Sequence, residues 1–358
     1  MNNQWRAENN NFDFLRLFLA ITVIFSHSYP IGLGSNNTEP LYLLTHGVIT
    51  TGEMAVDMFF FMSGFLISSS AEHSRSIVSY FRKRIARIYP AFIATTIFTS
   101  LIVIPIASGR YQGKRGAYLL DLLFQTSRLR TVQYENAFPN NPFPHAINGS
   151  LWSIQYEFWC YIGVACLFCL GLFSRRKLVL TFFIASIVIS VAFKINHWMP
   201  GGKILGEIFG PPFIWARLLP FYLSGVVFYL FRHELKSNIW LALSCLVILV
   251  SVCRSQVGFT ALFPIAGSYL FLCIALAQWI PLHNLGKYGD FSYGTYLYAF
   301  PIQQVLMVYF GATLTPLLLF ISATPLTLFF AVLSWYGIER RFLRKGRQKD
   351  SLTQILKA

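Results

Sequence analysis

Apolar residues in this chain come in long runs, separated by short stretches that gather most of the Lys and Arg. A helix crosses a hydrocarbon core about 30 Å thick with about 20 residues, and the runs have that length. Their pattern predicts about ten spans, near 12–33, 47–70, 88–108, 147–171, 178–194, 213–231, 239–253, 258–280, 291–310 and 315–336. The runs at 178–194 and 239–253 are short. A hydrophilic stretch extends from Arg110 to about Ala146, and Leu119–Phe124 within it predicts a short surface helix. No internal repeat or interdomain linker interrupts the pattern. The expected fold is all-α, a polytopic transmembrane helical bundle of about ten spans. Residues 1–340 are expected to form one membrane-embedded domain, and 341–358 a basic cytoplasmic tail.

Composition agrees with lipid rather than water as the solvent. The chain is 55% hydrophobic and 12% charged, about half the charge of a soluble domain. Its formal charge of +15 does not point to nucleic acid, because the cations lie in short runs between spans. With ten spans, about 19 Lys and Arg fall on the side that holds both termini, against about 8 opposite. That asymmetry predicts cytoplasmic N- and C-termini. The first apolar stretch carries Asp13, Arg16 and His27 and lacks a small-residue cleavage site, so it reads as a span and not as a removable signal. Cys160, Cys166, Cys169, Cys245, Cys253 and Cys273 all fall in or beside apolar runs, where free Cys packs as a small hydrophobe. Neither disulfide nor metal is expected.

Ionisable groups inside spans are costly and therefore informative. Arg16 and His27, eleven residues apart, share one helix face about 16 Å apart, with Asp13 at ion-pair spacing from Arg16. His27 is the leading candidate for proton transfer, its reference pKa of about 6.5 lying near neutrality. Asp57 sits among Phe and Met in the second span, either pinning helices or orienting an active-site group. Arg82, Lys83, Arg84 and Arg87 either anchor the chain at the cytoplasmic face or clamp a phosphate-bearing donor, for which Arg offers bidentate geometry. Glu157 is the acidic group of the fourth span. Near it, Ser153 and Tyr156 are candidates for sugar hydroxyls, and Trp152 or Trp159 for stacking or interfacial anchoring. Arg217, Tyr293, Tyr296 and Tyr298 are further candidates for lining a cavity.

These residues fall into ordered motifs: FDFLRLFLAITVIFSHS, AVDMFFFMSGFLI, FRKRIARIYP, LWSIQYEFWCY and FSYGTYLYAFP. Together they resemble the acyltransferase-3 family of integral membrane acyltransferases, over essentially the whole chain. The resemblance implies that residues 1–340 form a membrane-embedded acyltransferase domain. It implies transfer of an acyl group, most simply acetyl, from acyl-CoA to a hydroxyl of an envelope or secreted glycan such as O-antigen, exopolysaccharide or lipo-oligosaccharide. Many members carry a His in the late motif where this chain has Ala299, so no catalytic role is expected there. An appended SGNH-type domain is not seen.

The expected site has His27 as general base or transient acyl carrier. Glu157 or Asp57 would hold its imidazole, and Arg16, Arg84 and Arg87 would bind the CoA donor. Trp152, Ser153 and Tyr156 would contact the acceptor. No permanently bound cofactor or metal is expected; acetyl-CoA or another acyl-CoA enters as donor substrate. The expected partners are acyl-CoA, a glycan or lipid-linked glycan, and the membrane, not nucleic acid. The expected location is the bacterial cytoplasmic (inner) membrane. Two competing readings are a glycan or lipid-linked sugar transporter (flippase), with the intramembrane polar groups as its path, and a non-catalytic scaffold.

Overall fold

The computed structural model describes residues 10–108, 115–130, 137–201, 204–235, 237–277 and 287–343. Residues 344–358 of the expected tail lie outside them, as do Arg6, Arg110, Lys114, Lys203 and Lys236. All regular structure among the described residues is helical. The longer helices are α1 (Phe12–Leu33), α2 (Thr51–Glu72), α3 (Ile77–Phe98), α4 (Arg115–Ser127), α5 (Trp152–Cys169) and α6 (Arg176–Ile195). They continue with α7 (Pro212–Leu230), α8 (Ile239–Val252), α9 (Gln256–Ala275), α10 (Ser292–Phe310) and α11 (Pro316–Ser334).

Seven stretches of the described residues are long and apolar enough to cross a membrane: α1, α2, α3 with its continuation to Ala107, α6, α7, α9, and α11 with its continuation to Leu343. The helices α5 and α10 have the length but are more polar, and α8 has only 14 residues. Val188, Val247 and Phe329 are more than half exposed. Such side chains suit hydrocarbon and not water. The protein is an integral membrane protein.

Local chemistry sets the helix ends. Thr50 and Glu53 form a capping box, Thr50 accepting the Glu53 N–H while Glu53 accepts that of Thr50. This device starts α2 at Thr51 instead of 47. The larger difference is α3, which begins eleven residues before the expected 88. Ser76 caps it, accepting from the Ser79 N–H, and its first turns carry the whole basic run. The helix extends beyond its apolar part, so hydropathy alone misses its start. A five-residue π-helical turn, Thr99–Val103, then carries it into Ile104–Ser108. The surface helix expected at 119–124 is the middle of α4.

The chain divides into two compact units. One comprises residues 1–19, 40–74 and 156–288, the other 20–39, 75–155 and 289–358. The first is built on α2 against α7. Asp57 pairs with Arg217 near one end of the two helices, and Glu72 with Tyr229 and Arg232 near the other, so they run parallel. Between these pairs Gly64 meets Gly225. A Cβ on Gly225 would strike the Phe61 carbonyl oxygen and lie 2.7 Å from the Phe65 nitrogen. Both obstacles are backbone, which leaves glycine as the residue that fits. The phenyl ring of Phe61 meets those of Phe228 and Phe271 edge-on.

In the second unit α3 and α10 also run parallel. Asp290 bonds Arg87, Tyr293 donates to the Ile88 carbonyl, and Phe98 meets Tyr298. The pairs Phe291–Trp335 and Tyr298–Phe330 show α11 antiparallel to α10. A π-helical turn at Trp335–Glu339 follows α11 and ends on Glu339, which is 1% exposed.

Two glycine substitutions separate packing from helix propensity. Gly225→Ala is expected to lower the stability of the detergent-solubilised protein by roughly 1–3 kcal/mol through overpacking. Gly163→Ala, on α5 with nothing within 4 Å of its added Cβ, is expected to be neutral or stabilising by up to about 1 kcal/mol. Thermal unfolding followed by circular dichroism measures both, and equal losses would contradict the packing account.

Candidate active site

In the second unit His27 projects from α1 against the segment Asn148–Ser150. Its Nδ1 lies 3.4 Å from Ser150 Oγ, and its ring meets Phe300 edge-on at 5.3 Å between centroids. Ser150 is held from three directions. Its N–H donates to Asn148 Oδ1 at 3.3 Å, and its carbonyl accepts from the Tyr296 hydroxyl at 2.6 Å. Asn148 in turn donates to the Leu297 carbonyl at 2.8 Å. Tyr296 has spent its one proton on Ser150, so its oxygen accepts from Ser153 Oγ, 2.8 Å away. Gly149 packs where a Cβ would lie 2.7 Å from a Phe300 ring carbon. Helix α1 is fixed beside the site by Gln303, whose amide donates to the Ile24 carbonyl and to Ser28 Oγ.

The result is a half-buried imidazole with a hydroxyl on Nδ1 and a phenyl edge against its ring. When the proton sits on Nδ1 and is given to Ser150, the lone pair of Nε2 is left to accept another.

The other expected residues are distributed as follows. Glu157, in the first unit, accepts from Ser63 Oγ at 3.1 Å and from the Tyr161 hydroxyl at 2.6 Å, both at Oε1. Asp57, 2% exposed, is bonded by Arg217 at 3.0 Å. Arg217 also reaches the carbonyl and carboxylate of Glu53, at 3.0 and 3.3 Å. Asp57 therefore pins α2 to α7. Arg16 pairs with Asp13 at 3.2 Å, three residues apart on α1.

Arg87 contacts two carboxylates, Asp290 at 2.6 Å and Glu339 at 3.6 Å, and lies over the Tyr293 ring. Arg84 is half-buried on the same helix and Arg82 is exposed. Trp152 is 37% exposed, whereas Ser153 is buried in the Tyr296 network. Tyr156 is 2% exposed and packs edge-on against Trp215. Trp159 donates to the Ile208 carbonyl at 3.2 Å. Among the described residues no group of three His, Cys, Asp or Glu side chains could hold a metal.

Sequence reading did not single out Ser150, Asn148 or Phe300. Gln303 and Gln304 did offer a signal, being adjacent amides in an apolar run, where such groups need partners.

The described residues form a helical membrane domain that holds an imidazole beside hydroxyl groups. This chain belongs to the acyltransferase-3 family, whose model, described as an acyltransferase domain, matches residues 9–336. It is similar to an O-acetyl transferase of Shigella phage Sf6, at 31% identity over 96% of this chain and 99% of that protein. It is also similar to nodulation protein 10 of Rhizobium leguminosarum bv. viciae, at 26% identity over 84% of each chain. The O-acetyltransferase OatA of Staphylococcus aureus is 26% identical over 86% of this chain and 55% of its own length. No solved structure matches. The protein is thus an enzyme, a membrane acyltransferase.

Substitutions at the ion pair distinguish a pin from a catalytic group. Arg217→Ala leaves a buried carboxylate without its main partner and is expected to destabilise by about 3–5 kcal/mol. The double variant Asp57→Asn, Arg217→Gln is expected to recover part of that loss and to retain transferase activity. Thermal unfolding and ester formation in the same membranes check this; a well-folded, inactive double variant would make Asp57 catalytic.

Proposed function

We propose that the protein transfers an acetyl group from acetyl-CoA to a hydroxyl of an envelope or secreted glycan, with His27 as general base. Nε2 takes the proton of the acceptor hydroxyl as its oxygen attacks the thioester carbonyl. The C–S bond breaks, and the imidazolium returns the proton to the leaving CoA sulfur. The observation that carries this reading is the contact of Nδ1 with the Ser150 hydroxyl, which can accept the Nδ1 proton and so leave the lone pair of Nε2 free. At 3.4 Å it is longer than a usual hydrogen bond, as catalytic contacts often are before substrate binds. An acetyl group as donor moiety is supported by the O-acetyltransferase relatives, and a glycan as acceptor by the resemblance of the motifs to the family's.

The donor's phosphates are assigned to the cytoplasmic end of α3, at Arg84 with Arg82 and Lys83 beside it. Arg87 already faces Asp290 and Glu339, so its contribution is to hold that end of α3 against α10. Arg16 is proposed to guide the acyl end of the donor, and Trp152 and Ser153 to contact the acceptor. Glu157 is retained as a carboxylate required for turnover.

Ten crossings and cytoplasmic termini are supported by helix direction. Helices that each cross once alternate, so parallel neighbours need an odd number of crossings between them. For α2 and α7 that number is odd when α5 crosses together with α3 and α6. For α3 and α10 it is then odd only when α8 crosses as well. With α1 and α11 the total is ten, and the excess of cations at the termini and the even loops argues for these lying inside. The proposed location is the bacterial cytoplasmic membrane.

Base-labile acetyl on surface glycan, measured in a deletion strain complemented with each variant, tests the reaction. Wild type should restore the ester, and His27→Ala should reduce it by about 100-fold or more, the scale of a lost general base. Ser150→Ala and Glu157→Gln should fall between. Near-wild-type ester from well-expressed His27→Ala would end this reading. Labelled acetyl retained on the protein without acceptor would make His27 an acyl carrier instead of a base.

A further inference from the structure

The first unit contains a cavity of about 350 Å³, within the range of small-molecule sites. Its inner surface includes the carboxylates of Glu53 and Asp57 and the guanidinium of Arg217. Phe193, Phe213 and Phe259 supply aromatic wall. At the mouth stand Lys194, His197, Trp198 and Gln256, the last three exposed.

The mouth is shaped by an unusual turn. Helix α6 closes with the Trp198 N–H on the Phe193 carbonyl at 3.0 Å and the His197 N–H on that of Lys194 at 3.4 Å. This Schellman-type end puts His197 at φ +50°, in the left-handed region where glycine is usual. An imidazole is kept there at a backbone cost, and the indole of Trp198 follows it at 54% exposed.

The lining decides among ligands by charge and shape. Two carboxylates face one guanidinium and one ammonium, so the cavity is formally neutral and does not select a phosphate. An acyl chain would place hydrocarbon against four charged groups. A pyranose has an apolar C–H face for the aromatic wall and a girdle of hydroxyls for the Glu53 carboxylate, the Lys194 ammonium and the Gln256 amide, while the Asp57–Arg217 pair holds the helices behind them. The mouth is built from the end of α6 and the beginnings of α2, α7 and α9, which ten crossings put outside the cell. We infer that this cavity binds a pyranose ring of the acceptor glycan, an assignment that rests on the glycan-acylation reading above.

Saturation-transfer NMR of the full chain in detergent micelles tests it, with the methyl glycosides of glucose, galactose, mannose, rhamnose and N-acetylglucosamine as probes. Transfer to ring protons of at least one probe is expected, falling fivefold or more in Trp198→Ala and in His197→Gly. The glycine variant suits the left-handed turn better than the parent, so its loss reports the missing imidazole and not a damaged fold. No transfer to any probe would overturn the inference, as would transfer undiminished from wild type in both variants. Binding retained while wild type forms no ester in the complementation assay would also overturn the acceptor assignment, because it would leave a sugar site without a transfer.

Discussion

A charge drawn into hydrocarbon must meet its counter-charge there, and the first unit is organised by that requirement. Asp57 lies among phenylalanine and methionine on α2, and Arg217 among apolar residues on α7. Either alone in a lipid-facing position would cost several kcal/mol. Together they fix which helices are neighbours, in which direction they run and at what register. The Gly64–Gly225 approach then becomes possible two turns further on, since the ion pair has already set the register. Close backbone packing of this kind supplies attraction that hydrophobicity cannot supply between helices in lipid.

The second unit solves the same problem with neutral groups around its histidine. Ser150, Asn148, Tyr296 and Ser153 are joined by hydrogen bonds beside the imidazole, and Gln303 ties α1 down next to them. At one end of the unit charge meets charge, where Arg87 contacts Asp290 and Glu339. The π-helical turn matters here: the extra residue in its ring turns Glu339 inward after a helix whose other faces are apolar. Such turns often accompany functional positions, and this one ends on a buried carboxylate.

The fold was legible because membrane helices announce themselves in one dimension. The expected first span coincides with α1 at both ends. The start of α3 was hidden because its first turns are basic, and hydropathy reads a helix in headgroups as a loop. The capping box at Thr50–Glu53 was written in the sequence and would have placed the start of α2. The site was half legible. His27, Asp57 and Arg217 stood out as isolated ionisable groups, but a pattern along one chain does not say that Asp57 and Arg217 find each other across 160 positions. Ser150 carried no signal at all, being a common residue in a loop whose importance comes from the ring beside it.

The packing of Gly149 on Phe300 has a mechanical consequence. With the loop backbone pressed on one side of the phenyl ring and the imidazole meeting it on another, the histidine is a fixed post and not a swinging arm. A post cannot ferry anything between two compartments. For the acyl transfer proposed above, donor and acceptor both have to come to that ring, so the traffic belongs to the cargo.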